Sequence, residues 1–163
     1  MAKAAKPIPE GFHTITPYIA VQGAGEAITF YGKAFGAEEI LRLPGPDGKS
    51  VMHAEIKIGD SFLFVADEFP NAGNRSPKAL GGVTASIHLY VADADAAFKR
   101  ATEAGCEEIM PVTDMFWGDR FGKVRDPYGQ EWSIATAKET LTPEEIDERA
   151  KAFFAEMAKK GGC

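Results

Sequence analysis

Thr16-Pro-Tyr-Ile-Ala-Val21 and Ser86-Ile-His-Leu-Tyr-Val91 stand 70 residues apart, and each alternates side chains as a strand buried on one face does. The same spacing relates Ile58-Gly59 to Tyr128-Gly129. A spacing of 69 relates Gly36-Ala-Glu-Glu-Ile40 to Gly105-Cys-Glu-Glu-Ile109, which implies a one-residue insertion in the first helix or its turn. The chain therefore reads as a tandem duplication. In each copy a strand, at 15–21 in the first, is followed by a helix. Ala27, Ile28, Tyr31, Ala34 and Phe35 fall at helical spacing within Gly25 to Phe35. Gly36 and Gly105 close the two helices. Extended segments at 38–44, 51–58 and 61–67 complete the first copy, with counterparts near 107–112, 120–125 and 130–136. The order is βαβββ twice, an α+β class.

With 163 residues, 45% of them hydrophobic, the chain can bury one core but not two ordinary independent ones. A formal charge of −6 disfavours nucleic acid and anionic lipid as partners, since both call for a basic surface. The two cysteines, Cys106 and Cys163, suggest neither a disulfide framework nor a metal knuckle and read as free thiols in a reducing compartment. No apolar run approaches the roughly 18 residues of a membrane span, and residues 1–12 lack the apolar core of a signal peptide. A soluble, cytoplasmic protein is expected.

Residues 1–12 are expected to form a flexible N-terminus, and 13–137 a single domain: one unit at 13–68, a linker at 69–82 and the second unit at 83–137. The linker is rich in turn formers and could double as a lid. Residues 138–163 form a C-terminal helix and tail. There Thr142 with Glu145 makes a capping box, Pro143 takes the first helical position, and Ile146, Ala150, Phe153, Phe154 and Met157 form one stripe, the helix ending near Gly161. This helix has no counterpart in the first copy. It packs either on its own domain or on a second subunit.

Several words in order resemble the vicinal oxygen chelate (glyoxalase/bleomycin resistance/dioxygenase) superfamily, and its PhnB-like branch in particular. They are Thr16-Pro-Tyr-Ile, Ala27-Ile-Thr-Phe-Tyr31, Phe35-Gly-Ala-Glu38, Pro44-Gly-Pro-Asp-Gly48, His88-Leu-Tyr-Val-Ala-Asp93, Trp117-Gly-Asp-Arg120 and Asp126-Pro-Tyr-Gly-Gln-Glu-Trp132. The resemblance implies two units side by side in a concave eight-stranded mixed sheet with a ligand pocket in the hollow. It also implies a divalent metal in the superfamily's enzymes, held by His, Glu or Gln from the first and last strands of each unit, whereas bleomycin-binding members use the hollow without metal. Those positions map here to Thr16, Leu63, Ser86 and Ser133, none of which carries an imidazole or carboxylate. No metal and no other cofactor is expected on this basis. Gln130 and Tyr128 stand where the branch often has His and Phe.

Strand alternation turns Ile19, Val21, Ile87, Leu89, Phe62, Phe64, Trp132 and Ile134 toward the helices. The hollow then receives Thr16, Tyr18, Ser86, His88, Tyr90, Glu131 and Ser133. His53 and Glu55 join them, with Lys123 and Arg125 as counterparts. The residues expected to bind a ligand are Tyr18, His53, His88, Trp117 and Arg120; the last two offer an aromatic face and a guanidinium. A two-histidine, one-carboxylate set of His53, His88 and Glu131 is the alternative metal site. Asp93 and Asp95 read as helix-capping carboxylates, and Gly45 to Gly48 as a hairpin turn. No serine or cysteine sits in the surroundings of a nucleophile.

Three functions fit. A homodimer is expected under each; the first is a protein that binds or sequesters a small, partly aromatic or anionic molecule without metal. The second is a lyase, isomerase or dioxygenase using displaced ligands, or a metal-free catalyst with His53 or His88 as general base. The third is a regulatory or interaction module built on the C-terminal helix.

Overall fold

The computed structural model describes residues 6–69, 71 and 73–159. The first unit runs β1 (Tyr18–Val21), α1 (Ala24–Phe35), β2 (Glu38–Pro44), β3 (Val51–Ile58) and β4 (Ser61–Asp67). After a short α2 (Pro77–Leu80), the second runs β5 (Ile87–Tyr90), α3 (Ala94–Ala104), β6 (Glu107–Asp114), β7 (Asp119–Arg125) and β8 (Glu131–Ala137), with α4 (Pro143–Lys159) following. The eight expected strands are all present, as two four-stranded mixed sheets of order β1-β4-β3-β2 and β5-β8-β7-β6. In each, the first strand runs parallel to the last and the other pairs are antiparallel.

Both sheets turn one face to the helices. Val21, Ile56, Leu63 and Val65 pack with Ala27, Ile28, Tyr31 and Phe35 of α1, and Val124, Trp132 and Ile134 with Phe98 and Ala101 of α3, in a single core. The units are joined within it: α1 lies against α3, Phe35 stacks on Trp132 at 4.2 Å, and the Tyr31 hydroxyl donates to Asp126 across 2.9 Å. Asp126 also accepts from Trp132 Nε1 and from the amides of Tyr128 and Gln130. Burial nevertheless pushes its carboxyl above the ordinary value. Gly122 is the close-approach glycine of β7, since a Cβ there would meet Phe98 and Val112 at 2.9 Å.

Each unit also ties its helix to its last strand. Asp67, at the end of β4, accepts from the amides of Gly23 and Ala24 at the start of α1 and from Val51 of β3. Thr136 of β8 receives the Ala94 amide at the start of α3 and donates to the carbonyl of Val91.

The registers refine the duplication. Tyr18 and Phe64 are paired as His88 and Ser133 are, and Glu55 meets Phe64 as Lys123 meets Ser133. The first strands thus correspond at a spacing of 70, but Phe64 corresponds to Ser133 at 69 and Glu55 to Lys123 at 68. Two residues are lost before the last strand, one by the glycines that close the helices, Gly36 and Gly105, and one between β2/β6 and β3/β7; the longer turn Pro127-Tyr128-Gly129, in place of Gly59-Asp60, restores one. Three expectations are corrected. Leu63 is buried among the helices, so Phe64 takes the position assigned to it. Phe62 and Phe64 face away from the helices. Lys123 is the counterpart of Glu55, not of His53.

Local signals held elsewhere. Thr142 and Glu145 cap α4 reciprocally, Asp93 caps α3, and Asp47 gathers the amides of Lys49 and Ser50 in the 45–48 turn. The linker contains α2, whose start is capped by Ser76 with Pro77 at the first position. Gly161 and Cys163 lie outside the described residues. No helix among the described residues is long and apolar enough to cross a membrane.

Candidate ligand site on the open sheet faces

Strand parity leaves each sheet a second face, turned away from the helices. On the first sheet Tyr18, His53, Glu55 and Phe64 stand together. The Tyr18 hydroxyl lies 3.1 Å from His53 Nδ1 and 3.4 Å from the Met52 carbonyl it donates to, while His53 Nε2 is 3.6 Å from Glu55 Oε1. The Phe64 ring meets Tyr18 and His53 edge-on at 5.6 and 4.8 Å. Tyr18 is 54% exposed, yet desolvation raises the pKa of its hydroxyl, which stays protonated at neutral pH. Phe12, from the segment expected to be flexible, lies flat on Phe62 of this face at 4.0 Å.

On the second sheet the contacts run from ring to ring. His88 meets Tyr90 at 4.6 Å and Phe121 at 6.0 Å, and Phe121 meets Trp117 at 5.4 Å. Asp119 accepts from Trp117 Nε1 at 3.0 Å and from the Tyr90 hydroxyl at 3.2 Å. That hydrogen bond to a carboxylate holds the Tyr90 phenol above its ordinary pKa. Beyond Phe121, Glu131 sits between Lys123 at 3.5 Å and Arg125 at 3.1 Å.

The five predicted ligand residues thus fall in three places. Tyr18 and His53 share one cluster, and His88 and Trp117 share a second through Phe121. Arg120 is in neither. Its guanidinium reaches Asp95 at the start of α3 at 2.7 and 2.9 Å, with Asp114 at 3.4 Å, and these carboxylates hold it well above its usual pKa. Neighbouring residues of a strand point to opposite faces, so Phe121 on the open face puts Arg120 on the helix side. Sequence reading missed Phe64, Phe121 and Asp119. The parity that places Lys123 on the open face also places Phe121 and Asp119 there.

Among the described residues β1 and β5 each pair with one neighbour only; β5 lines two clefts between the units, and β1 lines the smaller of them. The larger, about 690 Å³, is bordered by Thr16, Ser61 and Phe62 on one side and His88 and Tyr90 on the other. The smaller, about 550 Å³, lies between Tyr18 and His88, with Pro77 and Leu80 of α2 at its wall.

The residues present do not fit the metal that the resemblance implies. Thr16, Phe64, Ser86 and Ser133 offer no imidazole or carboxylate, and among the described residues no three His, Cys, Asp or Glu side chains gather as a ligand set. The alternative set is divided as well: His53 is on the first sheet, His88 on the second, and Glu131 is held by two cations.

Paired βαβββ units with helices on one face and open faces opposite define a class, and sequence comparison agrees with it. The chain belongs to the Glyoxalase/Bleomycin resistance protein/Dioxygenase superfamily, whose profile matches residues 11–134. The uncharacterized protein Mb0911c of Mycobacterium bovis is 42% identical over 135 residues, which cover 81% of this chain and 88% of that one. The solved structure of the Arabidopsis thaliana gene product At5g48480 is 30% identical, covers 76% of this chain and 98% of its own, and superposes with a TM-score of 0.62. The PhnB protein of Bacillus cereus, 18% identical with a TM-score of 0.57 over 77% of this chain and 100% of its own, shares the fold.

Proposed function

We propose that this protein binds a small organic molecule on its open sheet faces without the metal used by enzymes of its superfamily. The observation that carries this reading is the exposure of large aromatic side chains on those faces, Tyr18 at 54% and Tyr90 at 67%, each fixed by its own hydrogen bonds. Exposed aromatic clusters of this kind, one on each sheet, are what a ligand or partner covers. The side chains at the usual metal positions point the same way. The test is native mass spectrometry of protein taken directly from cells, followed by titration with Zn²⁺, Ni²⁺, Mn²⁺ and Fe²⁺. An organic adduct and no tight stoichiometric metal binding are expected; tight binding of one ion per chain overturns the metal-free reading.

The unpaired edges of β1 and β5 and the open faces beside them favour a homodimer that covers them. A cytoplasmic location accords with the free, buried Cys106.

The Glu55–His53–Tyr18 chain motivates a second reading, a metal-free catalyst with His53 as general base. The Tyr18 hydroxyl, which donates to the Met52 carbonyl, would accept from Nδ1–H and orient the ring, leaving Nε2 to take the proton with the Glu55 carboxylate 3.6 Å away to stabilise the imidazolium. Under this reading His53→Ala abolishes turnover of a substrate that Glu55→Gln turns over slowly. Undiminished turnover by His53→Ala rejects it.

A further inference from the structure

Asp119 differs from the other carboxylates of the open faces. It is 7% exposed, and both groups that donate to it, the Trp117 indole and the Tyr90 hydroxyl, are neutral. Glu55 has His53 beside it and Glu131 has Lys123 and Arg125, but among the described residues no cationic side chain forms an ion pair with Asp119. Asp126, also buried, collects four donors over both its oxygens, whereas the two donors to Asp119 share Oδ2. The Oδ1 of Asp119 accepts from no group among the described residues and still reaches solvent, and a largely buried carboxylate without a counter-charge is costly. That cost is offset when a cation arrives.

The surroundings select the kind of cation. Trp117, Phe121, His88 and Tyr90 form one run of touching rings beside this carboxylate, and the faces of Trp, Tyr and Phe rings attract positive charge. A hard metal ion would need several oxygen ligands and finds one carboxylate. A weakly hydrated organic cation loses little on leaving water and gains both the rings and the charge. An anion would meet Asp119 itself.

Resting on the reading that the open faces bind small molecules, we propose that the second sheet carries a subsite for a substituted ammonium group, seated among Trp117, Phe121, His88 and Tyr90 with its charge toward Asp119. The ligand class then narrows to organic amines or quaternary ammonium compounds.

The test uses the full chain and the fluorescence of Trp117, since the other tryptophan, Trp132, is completely buried. The probes are benzyltrimethylammonium, neutral benzyl alcohol and anionic benzenesulfonate. Saturable binding of the cation, at least tenfold tighter than the alcohol, is expected, with no binding of the sulfonate. Asp119→Asn keeps an oxygen for the two donors and should weaken the cation at least tenfold while leaving the alcohol unchanged. Phe121→Leu, which alters no charge, should weaken the cation severalfold with the circular dichroism spectrum intact. Equal binding of cation and alcohol, or full retention by Asp119→Asn, overturns the proposal while the broader binding function stands. If none of the three probes binds, the subsite is rejected, and the broader reading is judged separately by the adduct carried from cells.

Discussion

Asp126 and Cys106 have opposite relations to their surroundings, and both can be measured. Asp126→Ala leaves the Tyr31 hydroxyl, the Trp132 indole and two backbone amides without their acceptor inside the core. A buried donor left unpaired costs about 1–3 kcal/mol, so a loss of about 3–5 kcal/mol in urea unfolding is expected, part of the penalty relaxing as the site adjusts. Cys106 is buried, and desolvation pushes its thiol from 9.0 to about 12. The folded state therefore holds that proton more tightly than the unfolded chain. Its contribution is complete below about pH 9 and is lost as pH rises through about 12. Cys106→Ala should flatten part of the alkaline fall in stability, the rest belonging to Tyr31, whose phenol burial and Asp126 also raise. At neutral pH in a Cys163→Ser background, Cys106 should resist a thiol reagent until urea unfolds the chain. How far individual residues were legible depended on parity. Tyr18, His53 and His88 follow from strand alternation, while Arg120, taken from a loop word, was assigned without it and lies on the other face beside Asp95.

Strands and long helices were legible because burial on one face imposes a period on the sequence. Segments 38–44, 51–58 and 61–67 coincide with β2, β3 and β4, the helical stripe falls within α1, and Gly36 and Gly105 follow α1 and α3. The linker helix was missed because its four residues are too few to show a period, although Ser76-Pro77 carries a helix-start signal. The drift in register was hidden for a related reason: a residue lost or gained between elements moves a pairing without altering either strand's own pattern. α4 is legible as a helix but not in its role. It buries none of its residues, and its ring contacts are Phe153 and Phe154 against Phe116. Truncation before Thr142 should therefore shift Tm by no more than about 2–4 °C, the effect of about 1 kcal/mol in a chain of this size. Thermal unfolding followed by circular dichroism checks this, and a larger fall would mean that α4 is held by a second copy.

For the whole molecule, the duplication made two similar units legible, but it did not reveal how their faces are shared. Both units give their helices to one core, and among the described residues their other faces, apart from the Phe12 contact with Phe62, and the edges of β1 and β5 have no element packed on them. If a second copy covers them, Tm should rise with protein concentration, since association stabilises the folded state by mass action. Sedimentation of the same samples gives the mass, and a monomer with a concentration-independent Tm removes the homodimer.

The side-chain ties from Asp67 to α1 and from Thr136 to α3 close each unit upon itself without a contact from the other. The polypeptide linkage between them then supplies proximity rather than shape. Severed between Gly82 and Val83 and co-expressed, the halves should reassemble as a two-fragment protein through the Phe35–Trp132 stack and the Tyr31–Asp126 bond. Copurification of an untagged half with a tagged one would record it. Weakening of that capture by Tyr31→Phe would show that this bond holds the seam between the two halves.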